Sequence, residues 1–376
     1  MHLRVLAQDG SARAALLELS SRGPQKTHGF PGALHTPAFM PVGTNATVKA
    51  LSPQELQTLG VQAILANTYH LYLRPGHKVL RSLGGLHAFM GFQGLIITDS
   101  GGFQVWSLSP LRKITPEGVE FRSHLDGSTH FLSPELSVQI QASLGADIFT
   151  ALDECTPYPA ERSYALQALR RTTVWAQRSL RARDRLSPGK PLFAIVQGGM
   201  FQDLRAQSLE ELLALSPDGL AVGGLSVGEP KGLMHEMIAF TGERLPRDRP
   251  RYLMGVGDIP SLLRAVEAGF DMFDCVIPTR DARNGTLFTT QGRVSIKQAR
   301  FKDDPRALDE QCGCYSCQNF SRAYLRHLYL SGELLGLRLN TLHNLHFYMW
   351  FFSQMRQAIK EGRFQSFKRH WEALPW

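Results

Sequence analysis

The sequence lacks the features that mark several common classes of protein. Its 376 residues contain no run of about eighteen apolar residues, so no membrane-spanning helix is expected. No long apolar block follows the first basic residue, so we expect no secretory signal and a cytoplasmic location. Long-period repeats and low-complexity tracts are also absent. With 43% hydrophobic and 20% charged residues, the composition is that of a folded globular protein.

Signatures of nucleotide binding and of common hydrolases are missing as well. The Gly-rich segments 223–229 (GGLSVGE) and 254–257 (MGVG) lack the Lys-Ser/Thr ending of a P-loop, and neither fits the dinucleotide-binding fingerprint. No Ser or Cys lies in a nucleophile-elbow pattern. Candidate catalytic groups must therefore be sought among other side chains.

Cysteine is scarce and unevenly distributed. Of the five cysteines, Cys312, Cys314 and Cys317 fall within six residues. In a cytoplasmic protein this crowding indicates metal binding, not a disulfide framework. Three thiolates and one imidazole complete a tetrahedral zinc shell of the structural type, with no open position. We predict His343 as the fourth ligand; His346, three positions later, is the other candidate, and packing in a core is the alternative for either.

Positive charge is concentrated near the C-terminus. The formal net charge is +8, from 41 Lys and Arg against 33 Asp and Glu. Residues 277–376 hold 15 of the basic and 8 of the acidic residues, whereas the first 276 are almost neutral. A basic quarter on a neutral body favours a polyanion partner such as nucleic acid, with a merely solubilising surface as the alternative.

Short apolar runs that end in Gly or a polar residue recur along the chain. Runs of this length are typical of strands buried on both faces of a parallel sheet, and helical patterns lie between most of them. Eight alternating units predict a (β/α)8 barrel of the TIM type, with a doubly wound open sheet as the alternative. The eight runs are 38–43, 63–69, 95–102, 147–154, 192–199, 219–224, 252–257 and 272–278.

Two β-hairpins are predicted outside the repeating units. One covers 119–132 and turns at Asp126-Gly127, and the other follows the eighth run and turns at Gln291-Gly292. Residues from about 318 to 373 are predicted to be helical. The predicted organisation is a barrel over 1–278, with an N-terminal β extension and an insertion at 106–132. A zinc-binding helical subdomain over 279–376 packs against it.

Polar residues and glycines stand where the predicted strands end. In such a barrel the active site lies at the carboxyl ends of the strands. Two carboxylates without a catalytic His suggest displacement at a sugar carbon, with one carboxylate attacking and the other moving protons, as in retaining glycosyl transfer. Any single Asp could instead cap a helix or form an ion pair. The strand-end residues are Gly43, Asn67, Asp99–Gly102, Asp153–Glu154, Gln197–Gly199, Gly223–Gly224, Gly255 and Asp274.

Long segments of the chain resemble one enzyme family, the tRNA-guanine transglycosylases. The resemblance runs from about residue 10 to residue 370 and includes the Cys-x-Cys-x2-Cys motif with its later His. The segments that carry it are DSGGFQ (99–104), DECTPYP (153–159), QGG (197–199), GGLSVGE (223–229), YLMGVG (252–257) and DMFDCVIPTRDARNG (271–285).

The resemblance implies a base-exchange reaction on tRNA. Guanine at the wobble position of a G-U-N anticodon, in the tRNAs for Tyr, His, Asn and Asp, would be replaced by a 7-deazaguanine in queuosine biosynthesis. Asp274 would attack the ribose and form a covalent intermediate, and Asp99 would serve as general acid and base. Val227 and Cys155 resemble the bacterial branch, which uses the base preQ1; queuine is the alternative. The alternative hypotheses for the function are a non-catalytic RNA-binding subunit and a retaining glycosidase.

The resemblance also assigns a purine pocket. Asp153 would accept hydrogen bonds from N1–H and the 2-amino group, while Gln197 and the Gly224 N–H would donate to O6. Phe103 and Met254 would enclose the ring, with core packing as the alternative. A flipped base is required, because a stacked base is out of reach. The substrate-binding set is Ser100, Gly101, Gly102, Phe103, Asp153, Cys155, Gln197, Gly224, Leu225 and Met254.

RNA contacts and a homodimer are implied as well. Acidic residues at two positions of the expected RNA-facing segments are unusual for such a surface. The helix that contains Tyr324 and His327 would form the dimer interface, or else pack the zinc subdomain onto the barrel. The RNA-facing residues would be Gly255, Val256, Gly257, Asp258, Ile259, Pro260, Ser261, Thr279, Arg280, Asp281, Ala282 and Arg283.

Overall fold

The computed structural model describes residues 1–19, 32–108 and 112–376. The strands in these ranges are β1 (His2–Asp9), β2 (Ala12–Glu18), β3 (Ala33–Thr36), β4 (Ala38–Gly43), β5 (Ala63–Ala66), β6 (Leu95–Thr98), β7 (Arg112–Ile114), β8 (Val119–Arg122), β9 (Thr129–Leu132), β10 (Phe149–Thr150), β11 (Leu192–Val196), β12 (Gly219–Val222), β13 (Arg251–Leu253), β14 (Met272–Cys275), β15 (Thr286–Thr289) and β16 (Gly292–Ser295).

Helices separate most of the strands. They are α1 (Pro53–Thr58), α2 (Thr68–Leu73), α3 (His77–Ser82), α4 (Gly85–Met90), α5 (Gly102–Leu108), α6 (Pro134–Leu144), α7 (Arg162–Leu186), α8 (Gln202–Ala214), α9 (Lys231–Arg244), α10 (Ile259–Glu267), α11 (Ile277–Arg283), α12 (Tyr315–Asn319), α13 (Arg322–Leu330), α14 (Leu334–Lys360) and α15 (Phe364–Glu372), with a 3-10 helix at Ala299–Phe301.

Eight strands form a closed parallel barrel, which confirms the predicted fold. Their order is β10-β11-β12-β13-β14-β4-β5-β6. The ring closes through a parallel bridge between Ile97 and Ile148, where the Thr98 N–H donates to the Ile148 carbonyl at 3.2 Å. Because the ring is closed, the open-sheet alternative is wrong. Each predicted apolar run contains or overlaps one of these strands.

Alternation along the strands divides the core into an inner and an outer part. In β4, Met40 and Val42 belong to the cluster that fills the barrel, whereas Phe39, the residue before Met40, packs outward against Tyr348 and Phe352 of α14. Successive side chains of a strand point to opposite faces, so a strand covered on both sides reads as a continuous apolar run. This explains why the runs were visible in the sequence.

A buried glutamine side chain bridges β6 and β10, the two strands at which the barrel closes. The Gln141 side chain on α6 accepts from Thr98 Oγ1 at 2.8 Å and from the Thr150 N–H at 2.9 Å, and donates to the Thr150 carbonyl at 2.9 Å. Strand β10 has only two residues, so these bonds supplement a short ladder. They fix the separation of β6 and β10, the strands that Asp99 and Asp153 follow.

The opposite end of the barrel is covered by the N-terminal sheet. Strands β1, β2 and β3 pair antiparallel, and Leu17 and Leu34 join the inner core. The Arg13 guanidinium makes two hydrogen bonds of 2.8 and 2.7 Å to the Asp271 carboxylate, and both side chains are buried. The carboxyl ends of the strands therefore remain as the open end of the barrel.

Both predicted hairpins are present, with small differences. Strands β8 and β9 pair antiparallel around the turn that contains Gly127, and β7 adds a third strand. The predicted insertion at 106–132 includes 109–111, which lie outside the described residues. In the second hairpin the turn residues are Thr290 and Gln291, one position earlier than predicted, and Gly292 begins β16.

The C-terminal segment is helical, as predicted, but broken into separate helices. The 27-residue helix α14 packs on β1, β4, α11, α12 and α13, so it joins the barrel to the metal-binding region. None of the helices in the described ranges combines the length and hydropathy that a bilayer crossing requires.

Candidate active site and metal centre

Asp99 lies immediately after β6 and is held by the neighbouring unit. Its carboxylate accepts from the Asn67 side-chain amide at 2.5 Å and from the Thr68 N–H at 2.7 Å, where β5 turns into α2. Burial raises the pKa of Asp99 to about 6; these two bonds oppose the rise, and the charge of Asp274 adds to it. A carboxyl group that titrates near neutral pH can both give and take a proton.

Asp274 occupies the end of β14 and is oriented by β13. Its Oδ1 accepts from the Tyr252 hydroxyl at 2.6 Å and from the Gly255 N–H at 2.9 Å. Burial raises the pKa of Asp274, while both hydrogen bonds favour the ionised form and limit the rise. One oxygen is thus fixed by two hydrogen bonds, and Oδ2 takes part in neither of them. Asp99 and Asp274 both lie at the carboxyl ends of strands in the same parallel barrel, so the two carboxyl groups share one mouth.

Asp153, after β10, is braced from two sides. Ser100 Oγ donates to its Oδ1 at 3.0 Å, and Gln197 Nε2 donates to its Oδ2 at 2.8 Å. Burial raises the pKa of Asp153, and these hydrogen bonds oppose the rise. The Gln197 Oε1 atom is buried and has no hydrogen-bond partner among the described residues. A carboxylate and a carboxamide therefore converge on the barrel mouth with unused hydrogen-bonding capacity.

Two glycines are required by this close packing. A Cβ on Gly102 would lie 2.5 Å from the Asp153 carbonyl oxygen, and one on Gly224 would lie 2.4 Å from Gln197 Oε1. Gly224 also has φ +65°, a conformation that side chains disfavour. Larger residues would displace Asp153 and Gln197, so the absence of side chains at these two positions allows the close packing.

The remaining predicted pocket residues lie at different depths. Cys155 and Leu225 are buried, and burial raises the pKa of the Cys155 thiol, which keeps it neutral. Met254 is half-buried beside the inner core. Phe103 is 46% exposed on α5 and lies 5.5 Å from the Trp106 ring. Phe103 is therefore available at the rim and is not a core residue.

Glu154 is turned away from the mouth. Its carboxylate accepts from the Tyr164 hydroxyl at 2.7 Å and ion-pairs with Arg171 at 2.5 Å, both on α7. Of the neighbouring acids in the sequence, only Asp153 faces Ser100 and Gln197.

The segments predicted to face RNA surround Asp274, but only part of each is exposed. Gly255 and Arg280 are exposed, and Pro260, Asp258, Asp281 and Arg283 are half-buried. The remaining residues of the two segments do not reach the surface. They are Val256, Gly257, Ile259, Ser261, Thr279 and Ala282, all of which are buried.

The two acidic residues of these segments have structural partners. Asp258 caps α10 by accepting from the Ser261 N–H at 3.2 Å, and it ion-pairs with Lys231. Asp281 pairs with Arg293 at 3.0 Å and with Arg280 at 3.6 Å. Their charges are offset locally, so they add little negative charge to the surface that adjoins Asp274.

Three cysteines and one histidine form a compact group on the C-terminal subdomain. The ligand atoms of Cys312, Cys314, Cys317 and His343 lie within 4.8 Å of one another. His343 Nδ1 is 3.7, 3.5 and 3.3 Å from the three sulfur atoms, in that order. A tetrahedral zinc ion with ordinary bond lengths needs separations of about 3.6 Å. The donor set and spacing therefore fit a metal ion.

The choice between the two histidines is decided by geometry. His343 Nε2 faces the Phe288 carbonyl at 2.7 Å, which leaves Nδ1 free to bind a metal. His346 Nδ1 is near a single sulfur, Cys312 Sγ at 3.4 Å. His343 thus completes the group, and such a fully protein-ligated site would supply stability and no reactive position.

Helix α14 connects this group to the barrel mouth. Immediately after His343, Asn344 donates to the carbonyls of Pro278 and Thr286 at 3.0 and 3.1 Å. Further along, the Tyr348 hydroxyl donates to the Gly257 carbonyl at 2.7 Å. The metal-binding group and the segments around Asp274 are therefore held by the same helix.

Sequence reasoning missed several residues that hold the site. Tyr252 could have been found, because it is a polar side chain within an apolar strand run, two positions before Met254. Gln141 lies on the apolar face of α6 and Arg205 on that of α8, where a polar residue interrupts the pattern. A polar residue on an apolar helix face was therefore the signal in the sequence for Gln141 and Arg205. The neighbouring sequence does not show which groups these side chains bind.

Comparisons with known proteins agree over nearly the whole chain. Residues 9–374 match the family model described as "Queuine tRNA-ribosyltransferase". A queuine tRNA-ribosyltransferase of Thermodesulfovibrio yellowstonii is 54% identical over 371 residues, 99% of this chain and 94% of that protein. One from Solidesulfovibrio magneticus is 55% identical, covering 97% and 95%. One from Staphylococcus aureus strain JH9 is 56% identical, covering 90% and 89%.

Proposed function

The chain belongs to the queuine tRNA-ribosyltransferase family, the tRNA-guanine transglycosylases, and we propose that it replaces wobble guanine in G-U-N anticodons with a 7-deazaguanine. The observation that carries the proposal is the pair of buried carboxyl groups, Asp99 and Asp274, in one barrel mouth. The acceptors would be the tRNAs for Tyr, His, Asn and Asp. The reaction belongs to queuosine biosynthesis.

The first half of the reaction breaks the bond between ribose and guanine. Oδ2 of Asp274 attacks the anomeric carbon, since Oδ1 is occupied by Tyr252 and Gly255. The electron pair of the glycosidic bond passes to the guanine, and Asp99 supplies the proton that makes the base a neutral leaving group. Asp274 is then bonded to the ribose as an ester, and the RNA backbone is intact.

The second half restores the carboxylate. The incoming 7-deazaguanine loses its proton to Asp99, and its ring nitrogen displaces Asp274 from the anomeric carbon. Two inversions give overall retention, and Asp99 returns to its starting protonation state. A pKa of about 6 suits a group that must donate in one half and accept in the other.

Base recognition rests on complementary hydrogen bonds. Asp153 accepts from N1–H and the 2-amino group, a pair that adenine does not offer. The second Gln197 Nε2 hydrogen and the Gly224 N–H donate to O6. Met254 and the exposed Phe103 enclose the ring. We propose preQ1 as the incoming base, since Cys155 and Val227 resemble the bacterial branch of the family, which uses this base; queuine would need more space.

The RNA is held around Asp274 by exposed parts of two segments. Gly255 in one donates to Asp274 Oδ1, and the other carries the exposed Arg280 and the half-buried Arg283 six and nine positions after Asp274; guanidinium groups suit RNA phosphates. The Cys312, Cys314, Cys317 and His343 group would hold one zinc ion, whose role is to stabilise the subdomain. We place the reaction in the cytoplasm, where reduced thiols and tRNA coexist.

A homodimer would use the outer face of α13. Tyr324 and His327 are exposed there, while Leu325 and Leu328 on the opposite face are buried. The helix can thus pack the subdomain with one face and a second copy with the other. Sedimentation velocity should give a dimer that Tyr324→Ala weakens; an unchanged dimer would place the interface elsewhere.

Guanine exchange tests the proposed activity directly. Radiolabelled guanine is incubated with the protein and an unmodified G-U-N tRNA, and with the same tRNA carrying adenine at the wobble position as control. Label should enter only the first RNA. If no label enters either, the protein is not an exchange enzyme, and the non-catalytic RNA-binding alternative takes its place.

A further inference from the structure

Arg205 is buried beneath the two Gly-rich loops of the base pocket. It lies on α8 and is 1% exposed. No Asp or Glu in the described ranges lies within ion-pair distance of it, and its Nη1 has no hydrogen-bond partner there. Burial lowers the pKa of Arg205 only to about 10, so it is charged at neutral pH. A buried, unpaired guanidinium is costly and needs an explanation.

The guanidinium binds only backbone carbonyls. Its Nε donates to the Gly199 carbonyl at 2.8 Å, and its Nη2 donates to the carbonyls of Gly223 and Gly224 at 3.2 and 3.3 Å. These carbonyls belong to the loops after β11 and β12, which carry Gln197 and Gly224. One side chain therefore sets the orientation of three peptide units in the pocket floor.

Fixing a carbonyl also fixes the N–H of the same peptide. The peptide bonds at 223–225 are trans, since the cis bonds of the described chain all precede proline. In a trans peptide the N–H points opposite to the carbonyl. With the carbonyls of Gly223 and Gly224 facing Arg205, the N–H groups of Gly224 and Leu225 face away from it.

Those two N–H groups are unused within the protein. Gly224 and Leu225 are buried, and neither N–H donates to another group of the described residues. Buried backbone N–H groups are nearly always paired. Unpaired ones beside Gln197 and Asp153 therefore indicate the place of a ligand acceptor.

We infer that Arg205 is a positioning residue that aims and polarises the Gly224 N–H toward the oxygen at position 6 of the base. This rests on the proposed function, because it assumes a purine in this pocket. The fixed positive charge lies behind the peptide, so it also favours the negative charge that reaches O6 as the base leaves the ribose. Arg205 thereby acts on the base through Gly224, without touching it.

Two bases that differ at one atom test the inference. Guanine and 6-thioguanine share N1–H and the 2-amino group, but sulfur is a weaker hydrogen-bond acceptor than oxygen. Dissociation constants for both are measured by calorimetry on the unsubstituted protein, Arg205→Lys and Arg205→Gln. We expect the substitutions to weaken guanine binding about tenfold, the value of one hydrogen bond between neutral groups, and 6-thioguanine binding by less than about threefold.

Arg251→Lys is the matched control. Arg251 is also buried and also donates to carbonyls, those of Leu245, Pro246, Gly242 and Gly269, but at the opposite end of the barrel. Arg251→Lys should lower the stability of the protein without changing the ratio of its affinities for guanine and 6-thioguanine. If Arg205 had a structural role only, its substitution would weaken the binding of guanine and of 6-thioguanine equally. That result would overturn the inference.

The unsubstituted protein provides a measurement that does not depend on the variants folding. It should bind guanine several-fold more tightly than 6-thioguanine; equal affinities would mean that no donor faces position 6 and would also overturn the inference. If the unsubstituted protein binds neither base, the proposed function itself fails, and the role of Arg205 fails with it.

Discussion

The hydroxyl of Tyr252 donates a 2.6 Å hydrogen bond to Oδ1 of Asp274, and both side chains are buried at the barrel mouth. The bond lowers the pKa of Asp274 against the effect of burial. It also leaves the other carboxylate oxygen, Oδ2, available. Tyr252 thus keeps the proposed nucleophile ionised and fixes its orientation.

Tyr252→Phe should shift the acid limb of the pH profile. Without the hydroxyl the pKa of Asp274 rises, so kcat/KM for guanine exchange should begin to fall at a pH about one unit higher. Exchange at alkaline pH should be affected much less. Tyr348→Phe is the control, because its hydroxyl binds the Gly257 carbonyl and not a carboxylate. An acid limb that does not move would contradict this role for Tyr252.

Asp99→Asn should stabilise the protein at neutral pH. The folded-state pKa of Asp99 is raised from 3.8 to about 6, so the native state binds this proton more tightly than the unfolded chain. The resulting stability is present below pH 3.8 and is lost as the pH rises through about 6. The shift corresponds to about 3 kcal/mol at pH 7.5. Asn67 can rotate its amide to bind the new side chain.

Thermal unfolding at two pH values measures this effect. The Tm of Asp99→Asn should exceed that of the unsubstituted protein at pH 7.5 and approach it near pH 4. Asp303→Asn removes an exposed carboxyl group and should change Tm little at either pH. A lower Tm for Asp99→Asn at pH 7.5 would mean that burial of Asp99 does not oppose its ionisation.

The two neighbouring histidines should differ in their effect on metal content. His343→Ala should lose the zinc ion and lower the Tm, because His343 faces all three sulfur atoms. His346→Ala should retain one zinc ion per chain, since its ring approaches Cys312 alone. Elemental analysis of the purified variants distinguishes them, and loss of zinc from His346→Ala instead would assign the fourth ligand to His346.

The barrel and its mouth could be predicted because they follow from local patterns. Parallel strands covered on both faces, such as β6 and β14, appear as apolar runs, and the polar residues that end them, Asp99 and Asp274, must gather at one end. The three close cysteines likewise identify a metal site by spacing. His343 was also predicted as the fourth ligand, and the structure decides between it and His346 because only His343 Nδ1 lies near all three sulfur atoms.

The supporting contacts could not be predicted, because they join residues far apart in sequence. Gln141 closes β6 to β10, and Tyr348 holds Gly257 from 91 positions away. Arg205 donates to backbone carbonyls, and since every residue has one, the sequence does not show which carbonyls it binds. Burial also decided which predicted RNA-facing residues reach the surface: Arg280 does, whereas Ala282 two positions later does not.

Detection of a covalent RNA adduct tests the central claim most directly. The protein is incubated with an unmodified G-U-N tRNA without added base, denatured and separated by gel electrophoresis, and any linked peptide is identified by mass spectrometry. We expect a band of protein joined to RNA through Asp274, and none for Asp274→Asn of equal stability. An adduct that persists in Asp274→Asn, or one that maps to Asp99, would contradict it.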